Sequence, residues 1–302
     1  MSNTWYIIYN PISGGGNAEK KINSIQNLFI YNKIKTETVR TQYPHHEEEL
    51  VQKAIKKGYN KFICIGGDGT IHHMVNGIMK QNYADTRSIK LAVIPTGTGN
   101  DWVKNYKIST NFKKAIDIIL RNNSIFQDIG KITLSQPHKE VYFNNAAGIG
   151  FDAYVVKNIN QYKNLGSLAY LFAALFSFKT YNYGKFIFSL DHKKIESNLF
   201  LISLGICKYS GAGMQLTDYK NHKPGYFDVT LIKPISLFKV IINITKLYNG
   251  RINQIKETHC SQVKDFTLMD NTVSYIQADG ELIGKGDADI TLITRAIQFI
   301  VP

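Results

Sequence analysis

Short apolar runs alternating with helix-periodic stretches organise the first third of the chain. Trp5–Tyr9, 62–65 and 91–94 read as buried strands, and residues 35–40 alternate as a strand ending at Thr41. Helical patterns lie between them, over 18–31 and from His45-His46 to about 57, with Glu47, Glu48 and Glu49 suiting the first turn. A third begins after Thr70, where Ile71, Met74, Val75 and Ile78 recur at helical spacing, and Phe112–Arg121 closes an α/β domain. From about 124 the texture changes. Strands are expected at 127–135, 141–146, 185–190, 199–206, Phe227–Ile232, 263–268, 272–277 and 290–293, with helical stretches only near 153–161 and 165–178. This predicts a two-domain α/β chain: an N-terminal α/β domain, 1–124, and a C-terminal β-sandwich domain, 125–302. A return of the extreme C-terminus to the first domain is left open.

The strand ends carry the candidate chemistry. Asn10-Pro11-Ile12-Ser13-Gly14 follows the first strand, Gly66-Gly67-Asp68-Gly69-Thr70 the third, and Pro95-Thr96-Gly97-Thr98-Gly99-Asn100-Asp101 the fourth. Glycine lets backbone approach a ligand closely, and the first amides of a helix point outward, so each junction can hold a phosphate. One such turn is an ordinary tight connection. Three at the carboxyl ends of strands in one open sheet converge on one crevice. Neither GxxxxGK[ST] nor a clean GxGxxG occurs. The adjacent pairs His45-His46 and His72-His73 are poor metal signals, because ligands on one helical face need wider spacing.

Composition narrows the classes. An apolar fraction of 44% over 302 residues supports a packed core, and a net charge of +13 predicts attraction to polyanions or an anionic membrane surface. The positive charges are scattered, and no recognition-helix or RNA-module signature accompanies them, so no nucleic-acid partner is expected. Cys64, Cys207 and Cys260 are isolated, which argues for a reducing compartment. The N-terminus lacks a secretory pattern, and the longest apolar run, 168–178, is too short to span a bilayer. A cytoplasmic protein with peripheral membrane association is the expectation, and homo-oligomerisation is left open.

Together these stretches resemble the diacylglycerol kinase catalytic-domain family, in particular its bacterial lipid kinases, with sphingosine and ceramide kinases as relatives. The likeness rests on Asn10-Pro11-x-Ser13-Gly14, Gly66 to Thr70 and Pro95-x-Gly97-Thr98-x-Asn100-Asp101. It continues through Phe143-Asn144, Gly150-x-Asp152, 225–229 and Asp279-Gly280-Glu281, covering nearly the whole chain. It implies an NAD-kinase/diacylglycerol-kinase-like first domain and ATP-dependent phosphorylation of a lipid hydroxyl. The implied ATP contacts are Asn10, Pro11, Ser13, Gly14, Thr41, Gly66, Gly67, Asp68, Gly69, Thr70, Ile71, His72 and Thr98. Mg²⁺ is implied with the nucleotide, Asp68 being a candidate ligand. The implied catalytic acid or base falls on Asp279 and Glu281, with Asp279 slightly preferred; from the residues alone Asp279-Gly280 reads as a hairpin turn.

Two departures stand out. His72-His73 replaces the family's commonest Asn-Glu. Pro224 stands where some members use an aspartate to hold a structural Mg²⁺, which puts that metal in question and leaves Asp228 as a turn or strand-edge residue. The alternatives are an NAD-kinase-like enzyme of a soluble metabolite and a catalytically weak lipid- or nucleotide-binding regulator. The acceptor lipid is not legible.

Overall fold

The polypeptide is seen in a computed structural model that describes residues 4–159, 169–219, 222–269 and 274–302. It divides into two compact units, one of residues 1–127 with 295–302, the other of 128–294.

The first unit is built on parallel strands β1 (Trp5–Tyr9), β2 (Thr36–Arg40), β3 (Lys61–Gly66) and β4 (Lys90–Pro95) in the order β2-β1-β3-β4. Their apolar runs are buried, as expected of strands covered by helices on both faces. The helices are α1 (Ser13–Tyr31), α2 (His46–Lys56), α3 (Asp68–Lys80), α4 (Asp101–Asn105) and α5 (Phe112–Arg121). α2 packs on α3, and α1 on α5. The regular part of α1 begins only after Gly16, since Gly14, Gly15 and Gly16 all have left-handed backbone. A further strand, β16 (Ala288–Ile300), ends in this unit, where Gln298 and Phe299 pair in parallel with Lys90 and Leu91 of β4. Phe299 is fully buried against Trp102, ring centroids 4.7 Å apart.

The second unit contains an all-antiparallel six-stranded sheet. Its strands are β7 (Ala146–Gly150), β10 (Leu201–Gly205), β11 (Phe227–Ile232), β12 (Thr258–Val263), β14 (Tyr275–Ala278) and β15 (Glu281–Lys285), in the order β12-β11-β10-β7-β14-β15. A second layer is formed by β8 (Gly184–Leu190), β9 (Lys193–Leu199), β13 (Asp265–Met269) and the first half of β16. The pair β5 (Ser124–Leu134) and β6 (Lys139–Phe143) joins it. Phe143, Ile149, Phe188, Phe227, Phe266 and Ile290 are among the side chains that fill the apolar core of this unit. A separate cluster around Phe200, Leu216 and Ile252 packs with Phe151, Phe178 and Leu247. These last three come from α6 (Phe151–Asn158), α7 (Ala169–Thr180) and α8 (Leu237–Tyr248).

Several sequence expectations are corrected here. The strand expected over 141–146 is two strands, because the amides of Asn144 and Asn145 turn to the Asp279 carboxylate. The runs at 199–206 and 263–268 each break where one strand ends and the next begins, at Phe200 and Lys264. α8, β9, β12 and β15 were not anticipated; the apolar spacing of α8 belongs to an exposed helix, not a core element. Asp228 is neither a turn nor an edge residue: it lies in β11, between β10 and β12, buried with His222 Nδ1 2.7 Å and Gln262 Nε2 2.8 Å from its oxygens. Residues 160–161, 165–168 and 272–273 of the expected elements lie outside the described residues.

Candidate active site

In the first unit the three glycine loops interlock at the carboxyl ends of β1, β3 and β4. The Asn10 carboxamide oxygen accepts from Ile12 N–H at 3.2 Å, closing a local turn, and Thr96 Oγ1 lies 3.2 Å from Ser13 Oγ. Gly14, at φ +61°, runs so close to Thr96 that a Cβ there would stand 1.8 Å from its carbonyl oxygen. Thr96 N–H donates to Gly66 O at 2.9 Å, and the backbones of Gly67 and Gly97 touch.

Asp68 is the hinge pin of this cluster. Its Oδ2 accepts from Asp101 N–H at 2.8 Å and its Oδ1 from Trp102 N–H at 3.3 Å, a carboxylate on the first amides of α4. Gly67, at the start of α3, supplies no side-chain cap, so the amide end of that helix faces the loops. Asn100 Oδ1 is buried without a hydrogen-bond partner among the described residues, an acceptor available to a group from outside the chain.

The other sequence-predicted residues of this unit divide by side-chain placement. Pro11, Ser13, Gly14, Gly67, Asp68 and Gly69 are partly accessible and Thr98 is exposed, whereas Thr41, Gly66, Thr70, Ile71 and His72 are buried. Thr41 N–H donates to Tyr9 O at 3.0 Å, next to Asn10. His72 Nε2 lies 3.3 Å from Asn76 Nδ2, so its ring is engaged inside α3. Beneath Asn10 sits Glu47, whose carboxyl is pushed up above the usual carboxylate range by burial. Burial likewise raises the Cys64 thiol, with Glu47 and Asp68 adding to the effect, so this cysteine stays protonated and unreactive.

In the second unit, Asp279 and Gly280, both at positive φ, form the two-residue turn between β14 and β15. The Asp279 carboxylate accepts three main-chain amides. Asn145 N–H at 2.9 Å and Ala146 N–H at 3.1 Å reach Oδ1, and Asn144 N–H at 3.0 Å reaches Oδ2. The turn is also tied by Asp279 N–H to Ala146 O at 2.9 Å, and by Gly280 N–H to Gln277 Oε1 at 2.9 Å. Gln277 Nε2 in turn donates to Asp152 Oδ2 at 2.7 Å, linking the turn to α6. Glu281, first residue of β15, is half-buried, and its carboxylate has no hydrogen bond or ion pair among the described residues.

The sequence matches the diacylglycerol kinase catalytic domain over residues 4–132 and the YegS C-terminal NAD kinase beta sandwich-like domain over residues 145–301. The chain belongs to the diacylglycerol kinase family. Relatives include a diacylglycerol kinase of Mycobacterium tuberculosis, 25% identical over 97% of this chain and 93% of its own length. One from Staphylococcus carnosus is 23% identical over 98% and 94%. The fold matches a crystal structure of a diacylglycerol kinase from Bacillus anthracis at a TM-score of 0.73 and 17% identity, covering 99% of this chain and 97% of the other. The family is one of ATP-using phosphotransferases.

Three features of the family motifs in this chain were beyond sequence reasoning. The amides of 144–146 that receive Asp279, the Gln277–Asp152 link and the Asn100 oxygen are all set by long-range pairing. The family motifs flagged Asn144, Asp152 and Asn100 as positions, without saying what they touch. At Pro224-Gly225 the Gly225 amide donates to Asp128 Oδ2 at 2.7 Å.

Proposed function

We propose that the protein is a lipid kinase that transfers the γ-phosphate of ATP to a lipid hydroxyl, with diacylglycerol the first acceptor to test. The observation that carries this reading is the interlocked set of three glycine loops in a chain of the diacylglycerol kinase family. Phosphoryl transfer asks little covalent chemistry of the protein; it asks for positioning and for stabilisation of charge. Main-chain amides of Gly14, Gly67, Gly69 and Thr70, the last two at the amide end of α3, would cradle the phosphates, and Asn100 Oδ1 would take a donor from the nucleotide. Mg²⁺ carried with the nucleotide would neutralise the phosphates. Asp68 is the loop carboxylate suited to it, since it sits between the second and third glycine loops, bound to the amides of Asp101 and Trp102.

The acceptor hydroxyl needs a group to orient it and take its proton. Glu281 suits this better than Asp279, because the Asp279 carboxylate already receives three main-chain amides that hold it in the turn. Asp279 is then the positioning residue: its carboxylate pins the turn that presents Glu281.

An anionic membrane surface is the proposed partner. α8 turns Phe238, Ile241, Ile242 and Tyr248 to solvent at helical spacing, Phe238 being 72% and Ile242 58% exposed. α7, packed on the same apolar cluster through Phe178, exposes Phe172, Leu175 and Phe176. Among the described residues no helix, these two included, is both long and apolar enough to cross a membrane. Two short helices with outward apolar faces on a chain of charge +13 suit interfacial contact with anionic lipid.

The test is transfer of label from γ-labelled ATP with Mg²⁺ to diacylglycerol and other lipid hydroxyls in mixed micelles and anionic vesicles, with NAD⁺ included. Label in a lipid, lost in Glu281→Gln, is the expected result. Label only in NAD⁺, or in nothing while ATP binds, overturns the reading. Phe238→Glu with Ile242→Glu should abolish vesicle sedimentation and spare turnover of a short-chain soluble acceptor.

A further inference from the structure

The α2–α3 face of the first unit carries a cluster that the kinase reading does not use. His45 immediately precedes α2, Glu48 lies in its first turn, and His73 lies in the second turn of α3. His45 Nδ1 and His73 Nδ1 are 3.2 Å apart, and His73 Nδ1 is 3.3 Å from Glu48 Oε1; the three atoms lie within 4.8 Å of one another. Metal–ligand bonds of about 2.0–2.2 Å at the tetrahedral angle put neighbouring ligand atoms about 3.3–3.6 Å apart. Two edges of the triangle therefore already have nearly the length that a bound ion requires.

We propose that His45, Glu48 and His73 form a zinc-class metal site that ties the start of α2 to α3. Two imidazoles and one carboxylate are the donors this class of cation prefers, and three protein ligands leave one position for water. His45 is exposed, so that position opens to solvent. Binding through both Nδ1 atoms places each ring proton on Nε2.

The surroundings hold the ligands in place. At Gly77 a Cβ would come within 2.8 Å of Glu48 O and 2.9 Å of Glu48 Cα, so the lack of a side chain lets α2 settle against α3 and brings Glu48 beside His73. Lys80 Nζ, 2.9 Å from Glu48 Oε2, holds the other carboxylate oxygen and leaves Oε1 facing His73. Such an outer contact orients a ligating carboxylate. On the opposite side of the loop, Gln42 N–H donates to His46 Nδ1 at 3.1 Å, and the His46 ring stacks on Tyr43 at 4.0 Å. This fixes the loop from which His45 projects. Adjacent histidines in sequence thus divide their work: His46 and His72 turn inward, while His45 and His73 meet.

The test uses the full chain, stripped of metal by a chelator and returned to chelator-free buffer. Zinc uptake is followed by equilibrium dialysis and titration calorimetry, and cobalt is then substituted and its visible absorption recorded. The expected result is one zinc per chain, a four-coordinate cobalt spectrum, and a melting temperature that rises with zinc. His45→Ala and His73→Ala should each weaken uptake at least as much as the roughly 10–100-fold seen on losing an outer-shell partner. The zinc-free melting temperature of His45→Ala should stay near that of the wild type, while His73→Ala, which loses its contact with Glu48, should melt slightly lower. The exposed His138→Ala and His259→Ala should bind zinc as the wild type does. Uptake that survives in His45→Ala/His73→Ala, or no uptake at one equivalent, overturns the proposal. Either outcome is independent of lipid-kinase activity.

Discussion

Replacing Asp279 by asparagine separates positioning from proton transfer. The carboxylate now receives two amides on Oδ1 and one on Oδ2. Asparagine keeps one acceptor oxygen but must point its NH₂ at a third N–H. One charge-assisted bond, about 1.5–3 kcal/mol, is lost, and two are weakened to neutral bonds of about 0.5–1.5 kcal/mol each. The turn is only partly buried, so a net destabilisation of about 2–4 kcal/mol is expected. At roughly 2–4 °C per kcal/mol for a unit of this size, melting should fall by about 4–16 °C. Hydrogen exchange should quicken at the amides of Asn144, Asn145 and Ala146. Glu281→Gln, with no partner to lose among the described residues, should stay within about 0.5 kcal/mol of wild type while turnover drops roughly 10²–10⁴-fold with ATP affinity intact. Labelled-phosphate turnover and thermal melting, run on both variants, decide the matter. An Asp279→Asn protein that melts like wild type but is inactive, beside an active Glu281→Gln, would refute the assignment and make Asp279 the base.

Other outcomes follow from the same contacts. Gly14→Ala puts a methyl into the Thr96 carbonyl and forces the first loop outward; ATP affinity, read by calorimetry, should fall at least roughly tenfold, a loss of about 1.4 kcal/mol. Burial pushes the Glu48 carboxyl up, but hydrogen bonds from His73 and Lys80 outweigh it and hold it down at about 2. The folded state therefore binds this proton less readily than the unfolded chain. The resulting stability is full above about pH 4.5 and lost as pH falls towards 2. With a quarter of the side chain exposed it should amount to about 1–2 kcal/mol, measured in chelator as the difference between wild type and Glu48→Gln at pH 7 and pH 2.5. Glu47 has the opposite sign: its raised carboxyl disfavours the folded state as pH rises above the unfolded value. Glu47→Gln should thus be more stable than wild type at pH 7, with the gain shrinking in acid denaturation curves towards pH 4. Phe299→Ala opens a cavity beside Trp102 and should cost about 3–5 kcal/mol in urea unfolding.

The sequence by itself determined the local parts. Apolar runs of strand length in β1, β3 and β4, and the glycines that follow them, need only neighbours along the chain. The strand-loop-helix units and their candidate phosphate loops could therefore be read directly. Asp279-Gly280 was legible as a turn for the same reason, since both residues favour the positive φ that a tight hairpin needs. The tertiary structure decided which functional groups are free to act. Asp68 and Asp279 look alike in sequence, each beside glycine, yet distant amides claim both carboxylates: those of Asp101 and Trp102 for one, those of 144–146 for the other. Glu281, two residues away, keeps a carboxylate without a partner among the described residues. α8 shows the same limit, for an apolar spacing does not say whether the face it makes is covered. His45 and His73 lie 28 positions apart, and only the packing of α2 on α3 makes them neighbours. Hydrogen bonds and ligand sets between distant segments depend on strand register and helix packing, which periodicity in one stretch does not encode.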